Sequence, residues 1–319
     1  MPRRAAYGND ERHNGLSLLH RCGLKTVRKL IQAAAALFQN SYLAFPWSRN
    51  LYQGGLKKFC TPGLNCHSCP AAVTACPLGT LQHFLAGAKA ALKWGGYQLG
   101  FYVVGLITAT GVLFGRIPCG WICPFGLLQE FLYKLPVAKV KLPRVLTRLA
   151  LPVLLVFVFI LPVLLSRATS PGSPSFCEYI CPAGTLEGAG LYWIMPELKE
   201  QTGVVLYLKW GVLSLVLMAA AMVYRPYCRT ICPLGYLYGL FNRISVVGLA
   251  FDPVKCTDCA SCRKSCKSGL DPRKADRDPK CIRCFDCARL ACKTGALSIR
   301  FIPSDGPLTG LPRNADPRA

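Results

Sequence analysis

The chain has 319 residues, 52% of them hydrophobic and only 17% charged, with a mean hydropathy of +0.32. That balance excludes a disordered or collagen-like chain and fits poorly with an ordinary water-soluble enzyme. Thirty-eight Lys and Arg against fifteen Asp and Glu leave a net charge of +23, and nineteen cysteines in short regular spacings point to metal sites rather than to a secreted disulfide scaffold, which would be shorter and less apolar.

In chain order, residues 1–24 read as a basic N-terminal segment. Four apolar stretches follow, Leu30–Trp47, Gln98–Phe114, Leu149–Leu165 and Gly203–Tyr224. Each is close to the roughly 20 residues a bilayer requires. The first is interrupted by Gln32, Gln39 and Asn40. Its competing reading is a signal peptide, but the apolar run continues through "FQNSYLAF" with no clean cleavage site. Leu81–Leu92, beside His83, Lys89 and Lys93, reads as an interfacial or re-entrant helix. The third stretch carries no charge, and lipid tolerates its Pro152 and Pro162. Lys and Arg number seven before the first stretch, five, six and two in the three connections, and seventeen after the last. By the positive-inside rule both termini are cytoplasmic, in a multi-pass protein of the inner membrane.

The membrane part, residues 25–248, contains C-P-x-G-x-L four times: "CPLGTLQ" from Cys76, "CPFGLLQ" from Cys123, "CPAGTLE" from Cys181 and "CPLGYLY" from Cys232. Cys76 and Cys181 are expected outside, Cys123 and Cys232 inside, as two tandem copies of span, outer motif, span, inner motif. Three copies add a cysteine four residues earlier, at Cys119, Cys177 and Cys228. The first has Ala72 there and instead carries Cys60, Cys66 and Cys69. A residue before Pro avoids the α region, and Pro favours the first helical position, so each C-P cysteine is expected at a helix N-cap. There the helix dipole would lower the thiol pKa and favour metal or redox chemistry. Two cysteines do not complete a four-ligand cluster, so either pairs combine across the fold or they work as dithiol–disulfide couples. Cys60, Cys66, Cys69 and Cys76 could also hold a cluster by themselves or form disulfides.

From residue 249 the character changes. "CTDCASCRKSC" is C-x2-C-x2-C-x3-C, and "CIRCFDCARLAC" is C-x2-C-x2-C-x4-C. Two such runs are the bacterial two-cluster ferredoxin pattern, in which the fourth cysteine of each run serves the other cluster. That assigns one [4Fe–4S] to Cys256, Cys259, Cys262 and Cys292, and a second to Cys281, Cys284, Cys287 and Cys266. Lys267 and Lys293 stand where Pro usually follows, and the second run has one extra residue before Cys292. From Arg225 onward seventeen basic and eight acidic residues suit anionic lipid or an acidic redox partner, with no need of nucleic acid. Residues 303–319 read as a disordered tail. The fold class is therefore an α-helical membrane protein of four transmembrane helices in two tandem repeats, followed by an α+β two-cluster ferredoxin domain at 249–302.

The four His and the absence of C-x-x-C-H offer no haem ligation, and no dinucleotide or phosphate loop is present. With "RIPCGWICPFGLLQEFLYKLP", "RPYCRTICPLGYLYG", the four spans and the two cysteine runs, residues 25–302 resemble the membrane ferredoxin family of the NapH/MauN type. The segment "NCHSCPAAVTACPLGTLQHFL" looks like a subgroup of it. The resemblance implies an electron-transfer component of an oxidoreductase complex, passing electrons between quinol or a redox partner and an acceptor. Phe101, Tyr102, Phe114, Trp121 and Phe125 could border a quinone site, against a reading as membrane packing. The alternative is a copper-handling or metalloenzyme-maturation reductase using the C-x-x-x-C-P thiols, though relatives of that kind carry extra domains. A redox sensor would need an effector domain. A C-terminal reporter fusion is expected to be active only on the cytoplasmic side; activity that requires export would overturn this topology.

Overall fold

The structure, a computed structural model, describes residues 26–94, 98–140, 142–143, 145–165, 173–194 and 198–301. The expected basic segment 1–24 and the tail 303–319 lie outside the described residues.

Helix α1 covers 26–39 and the short α2 covers Phe45–Ser48. The apolar stretch expected to span from Leu30 to Trp47 is thus not one helix. Gln39 reaches the Ile122 carbonyl at 3.3 Å, and Asn40 turns back to the Ala36 carbonyl at 3.2 Å, closing the helix end. Helix α1 is inside-out for water: Arg28, Gln32 and Gln39 are buried while Leu30, Ile31, Leu37 and Phe38 are exposed. Helices α3 (Pro77–Trp94) and α4 (Gln98–Phe114) pack together. Leu78, Leu81, Gln82 and Ala86 bury one stripe of α3 against the bundle.

Next come α5 (Ile117–Trp121), α6 (Pro124–Leu132) and α7 (Leu146–Leu165). In α7 the backbone N–H of Leu161 reaches the Val156 carbonyl, a wide turn just before Pro162. Proline lacks the N–H for an ordinary turn there and would crowd the carbonyl four residues back. Then follow α8 (Ser175–Tyr179), α9 (Pro182–Ile194), α10 (Leu198–Met222, broken at Gly203), α11 (Pro226–Thr230) and α12 (Pro233–Phe241). Among the described residues two helices are long and apolar enough to cross a membrane, Leu146–Leu165 and Gly203–Met222, with mean hydropathies of 2.6 and 2.0. Only 22% and 17% of these windows are buried, so their apolar faces look outward, as lipid-facing helices do and as core helices of soluble proteins do not. The C-terminal module pairs β1 (Gly248–Phe251) antiparallel with β2 (Leu297–Arg300), with α13 (Ser261–Ser265) between them in sequence.

A buried ionic knot ties these parts together. Glu130 on α6 accepts from both terminal nitrogens of Arg28 at 2.9 and 3.0 Å, from Arg225 at 2.6 Å, from Tyr224 at 2.8 Å and from Lys29. Arg28 also bonds the Gly120 carbonyl at 3.1 Å and pairs with Asp286 of the C-terminal module at 3.7 Å. Burial opposes ionisation of Glu130, but Arg225 and Arg28 outweigh it and hold the carboxyl well below the usual range. Its contribution to stability is complete above the unfolded value of about 4.3 and is lost as pH falls below that toward the depressed folded value. Glu130→Ala strands two buried arginines and the partly buried Lys29 and is expected to cost roughly 3–5 kcal/mol. Thermal unfolding in detergent checks this; a loss below about 1 kcal/mol would mean that the knot acts as an exposed pair does.

Candidate functional site

The C-P motifs at Cys123, Cys181 and Cys232 are each a one-turn helix, a cysteine and a proline-started helix; at Cys76 the proline-started helix follows a bridge between Ala75 and Cys60. Cys123 and Cys232 are the N-caps of α6 and α12, with extended ψ of 117° and 112°. Backbone N–H groups of Gly184 and Gly235 donate to the Cys181 and Cys232 sulfurs, each at 3.3 Å. A Cβ at Gly184 would lie in ordinary contact, 3.7 Å, with the sulfurs of both Cys181 and Cys66, which puts the two thiols on one side of this turn.

The motifs combine in pairs. Cys66, Cys76, Cys177 and Cys181 line one cavity of about 310 Å³. Cys66 thereby takes the place that Ala72 leaves vacant in the first copy. The second quartet is Cys119, Cys123, Cys228 and Cys232; burial and then the nearness of Cys228 oppose ionisation of the Cys119, Cys123 and Cys232 thiols. A shared hydrogen-bond scheme serves both. Gln82, six residues after Cys76, donates to the Cys177 sulfur at 3.2 Å and accepts from the Phe176 N–H at 2.9 Å. Gln129, six residues after Cys123, donates to the Cys228 sulfur at 3.1 Å and accepts from the Tyr227 N–H at 3.2 Å. The residue at that place in the third copy, Glu187, accepts from the Cys66 N–H, and burial pushes its carboxyl up to about 8. These glutamines were not singled out by the sequence reading, although their common offset from the cysteine was visible.

The quartets are not held a bilayer apart. Cys76, Cys119, Cys123, Cys181 and Cys232 share one core with Tyr227 and Tyr238. A Cβ at Gly63, three residues from Cys66, would sit 3.2 Å from the Cys123 Cα. Helix α7 passes both sites: α12 packs on its Ala150–Val153 turn and α8 on its Leu154–Ile160 turn. At 1.5 Å per residue these levels differ by about 10 Å along the axis.

The expected thiol acidity is also corrected. Burial outweighs the helix N-terminus, pushing Cys76 up to about 11 and Cys66 and Cys123 up to about 12. Without cations these thiols keep their protons. Iron would have to displace them, so filling either quartet releases acid. The described cysteines are all free thiols. Cys60 and Cys69 stay out of the quartets, Cys60 beside Thr80 Oγ1 at 3.3 Å and Cys69 beside Asn40 Oδ1 at 3.9 Å. Nor do Phe101, Tyr102, Phe114, Trp121 and Phe125 gather into one site. Phe101 and Tyr102 are exposed, Phe125 stacks edge-on against Tyr227, and Trp121 donates to the Arg283 carbonyl at 3.2 Å.

In the C-terminal module Cys256, Cys259, Cys262 and Cys292 line one cavity and Cys266, Cys281, Cys284 and Cys287 another. Positive φ falls at matching places in the two runs, Asp258 and Ala260 in the first and Arg283 and Phe285 in the second. Alternating hands of this kind turn successive N–H groups into a concave nest for an anionic iron–sulfur group. The extra residue before Cys292 is absorbed by a wide turn, with the Cys292 N–H bonded to the Cys287 carbonyl at 3.0 Å. No group of three His, Cys, Asp or Glu among the described residues is placed to hold a single metal ion.

Fold and site together define a membrane-associated iron–sulfur electron-transfer protein. The family model for the 4Fe-4S binding domain matches residues 74–95, 98–143, 147–194 and 206–249, and the chain belongs to that family. These segments hold the four C-P motifs and end before Cys256. An uncharacterized protein of Methanocaldococcus jannaschii is 31% identical over 71% of this chain and 86% of its own length. A second from the same organism is 30% identical over 58% of this chain, which spans 64% of that relative. The methylamine utilization ferredoxin-type protein MauN of Methylorubrum extorquens is 26% identical over 60% of this chain and 59% of its own. No solved structure matches the chain. Cys66→Ser is expected to remove about four irons per chain, one cluster's worth, while Cys69→Ser removes none. Iron analysis decides, and the reverse pattern would overturn the choice of Cys66.

Proposed function

We propose that this protein is a membrane electron conduit with four [4Fe–4S] sites. Two belong to the membrane core, one held by Cys66, Cys76, Cys177 and Cys181 and one by Cys119, Cys123, Cys228 and Cys232. Two belong to the C-terminal module, held by Cys256, Cys259, Cys262 and Cys292 and by Cys266, Cys281, Cys284 and Cys287. The clusters supply one-electron storage, and the protein's part is to hold them in line.

The observation that carries this reading is the seam between core and module. A Cβ at Gly120, between Cys119 and Cys123, would lie 2.9 Å from the Ile282 carbonyl and 3.8 Å from the Cys284 Cα. Arg116 donates to the Pro279 carbonyl at 2.7 Å, and Asn242 to the carbonyls of Asp278 and Cys281, each at 2.9 Å. Thiol sets are thus in backbone contact from the first quartet through the second to the module. An anchored ferredoxin on a flexible tether would not need such a joint.

The protein sits in the inner membrane as a multi-pass chain built from two tandem copies, with both termini cytoplasmic. The exposed apolar faces of α1, α4, α7 and α10 support four membrane-embedded helices, and the seventeen basic residues after Tyr224 support the orientation. The partner at the first quartet is a quinol or a redox protein, for which the 310 Å³ cavity beside His67 and His83 offers room. The module's positive charge suits an acidic partner. After anaerobic purification, iron and acid-labile sulfide should approach about sixteen of each per chain, with EPR signals beyond a ferredoxin pair. About eight would confine the clusters to the module and sink the four-site reading.

A further inference from the structure

The two quartets share their glutamine scheme but differ in charge. Arginine stands three residues before the first cysteine in both copies of the second quartet, at Arg116 and Arg225. The matching places in the first quartet are Pro174 and Cys69. Arg116 donates to the Cys228 carbonyl and Arg225 to the Cys119 carbonyl, so each guanidinium crosses to the opposite copy. The motif glycines make room for them: a Cβ at Gly126 would lie 3.0 Å from Arg225, and one at Gly235 3.0 Å from Arg116. Both arginines are buried, at 4% and 0% exposure, and the Nε–H of each has no partner among the described residues.

The surroundings keep a positive excess. Among the described residues Arg28, Lys29 and Arg225 pair with Glu130 and Arg28 also with Asp286, while Arg116 makes no ion pair. Beside the first quartet Glu187 accepts from the Cys66 N–H, Glu178 and Lys209 line the cavity, and Lys57 stands at a partly exposed edge near Cys66 and Cys69. A guanidinium keeps its charge at any working pH, and charge acts strongly where water is excluded. Cluster potentials respond to local net charge and to hydrogen bonds on the sulfurs. Adding an electron adds negative charge, which two buried cations with free N–H donors favour.

We propose that Arg116 and Arg225 make the second quartet the electron-holding end of the membrane core, giving a four-iron group there a higher reduction potential than one on the first quartet. An electron shared between the two sites then rests on the side nearer the C-terminal module, one site oxidised and the other reduced, with no bond or proton exchanged. The inference rests on the proposed function, that both quartets hold such groups, and adds a direction to it.

The test is a potentiometric titration of the full-length protein followed by EPR. Two membrane signals should titrate at separate midpoints, the higher one lost in Cys228→Ser and kept in Cys66→Ser. Arg116→Gln should lower that higher midpoint and leave the others in place, and Arg116→Lys should restore most of it. Arg225→Gln should move the same signal; it also frees Glu130, so Arg116 is the cleaner site. If no arginine variant accumulates, the wild-type order of midpoints decides. A higher midpoint on the first quartet, or an unmoved midpoint in Arg116→Gln at about sixteen irons, overturns the inference alone. About eight irons overturns the four-site reading and this inference with it.

Discussion

Two guanidiniums hold the centre of this protein. Cys119 and Cys228 are 109 residues apart in the chain, and each ends up with its carbonyl capped by the arginine that precedes the other. These carbonyls sit near the ends of one-turn helices, which cannot satisfy them internally. The same arginines reach outward, Arg116 to Pro279 of the module and Arg225 to Glu130 of the ionic knot. One reciprocal contact therefore aligns two motif loops, docks the C-terminal module and, through Glu130, secures α1. Removing Arg116 leaves the Cys228 and Pro279 carbonyls without it, and removing Arg225 uncaps the Cys119 carbonyl and takes one of the cations from Glu130, which keeps Arg28, Lys29 and Tyr224.

The molecule inverts the usual distribution of polarity. Its helices present Leu, Val and Phe outward and keep Arg28, Gln32, Gln39, Gln82, Gln129 and Glu130 inside. In water that arrangement would waste the hydrophobic driving force, but in lipid the outside is as apolar as a core. Interior polar groups can then be spent on positioning, as Gln82 and Gln129 are, each fixing one thiol and one backbone N–H. Thiol burial fits the same logic. Four neutral SH groups are tolerated in an apolar core, and four thiolates are tolerated only with iron charge among them.

The family match deepens this picture, since it covers the C-P loops and stops before the ferredoxin-type runs. The core is therefore an iron–sulfur-binding unit in its own right. The module reuses a different solution to the same problem: matching left-handed residues that aim backbone N–H groups at one point. Core and module thus reach similar donor sets by different means, helix N-caps in one and turn nests in the other.

Much was legible from residues alone. The C-P dipeptide dictates an N-cap because proline restricts its neighbour and starts the next helix, and Cys123 and Cys232 are N-caps. Long apolar runs, each with one charge, Arg148 and Lys209, marked α7 and the long part of α10, because such a surface is stable only against lipid or core. The sequence by itself determined local backbone states and the membrane-embedded character, which follow from short-range sterics and transfer free energy. Tertiary structure alone decided which thiols meet. Cys66 and not Cys69 replaces the absent cysteine at Ala72, because Gly63 lets the 60–66 loop pass against Cys123. Cysteines of both quartets also meet in one core, a packing of distant segments that no local pattern announces. The role of Glu130 was also invisible, since its partners Arg28 and Arg225 lie about a hundred residues away on either side. Pairing across such distances depends on packing, and packing leaves no periodic mark on a sequence.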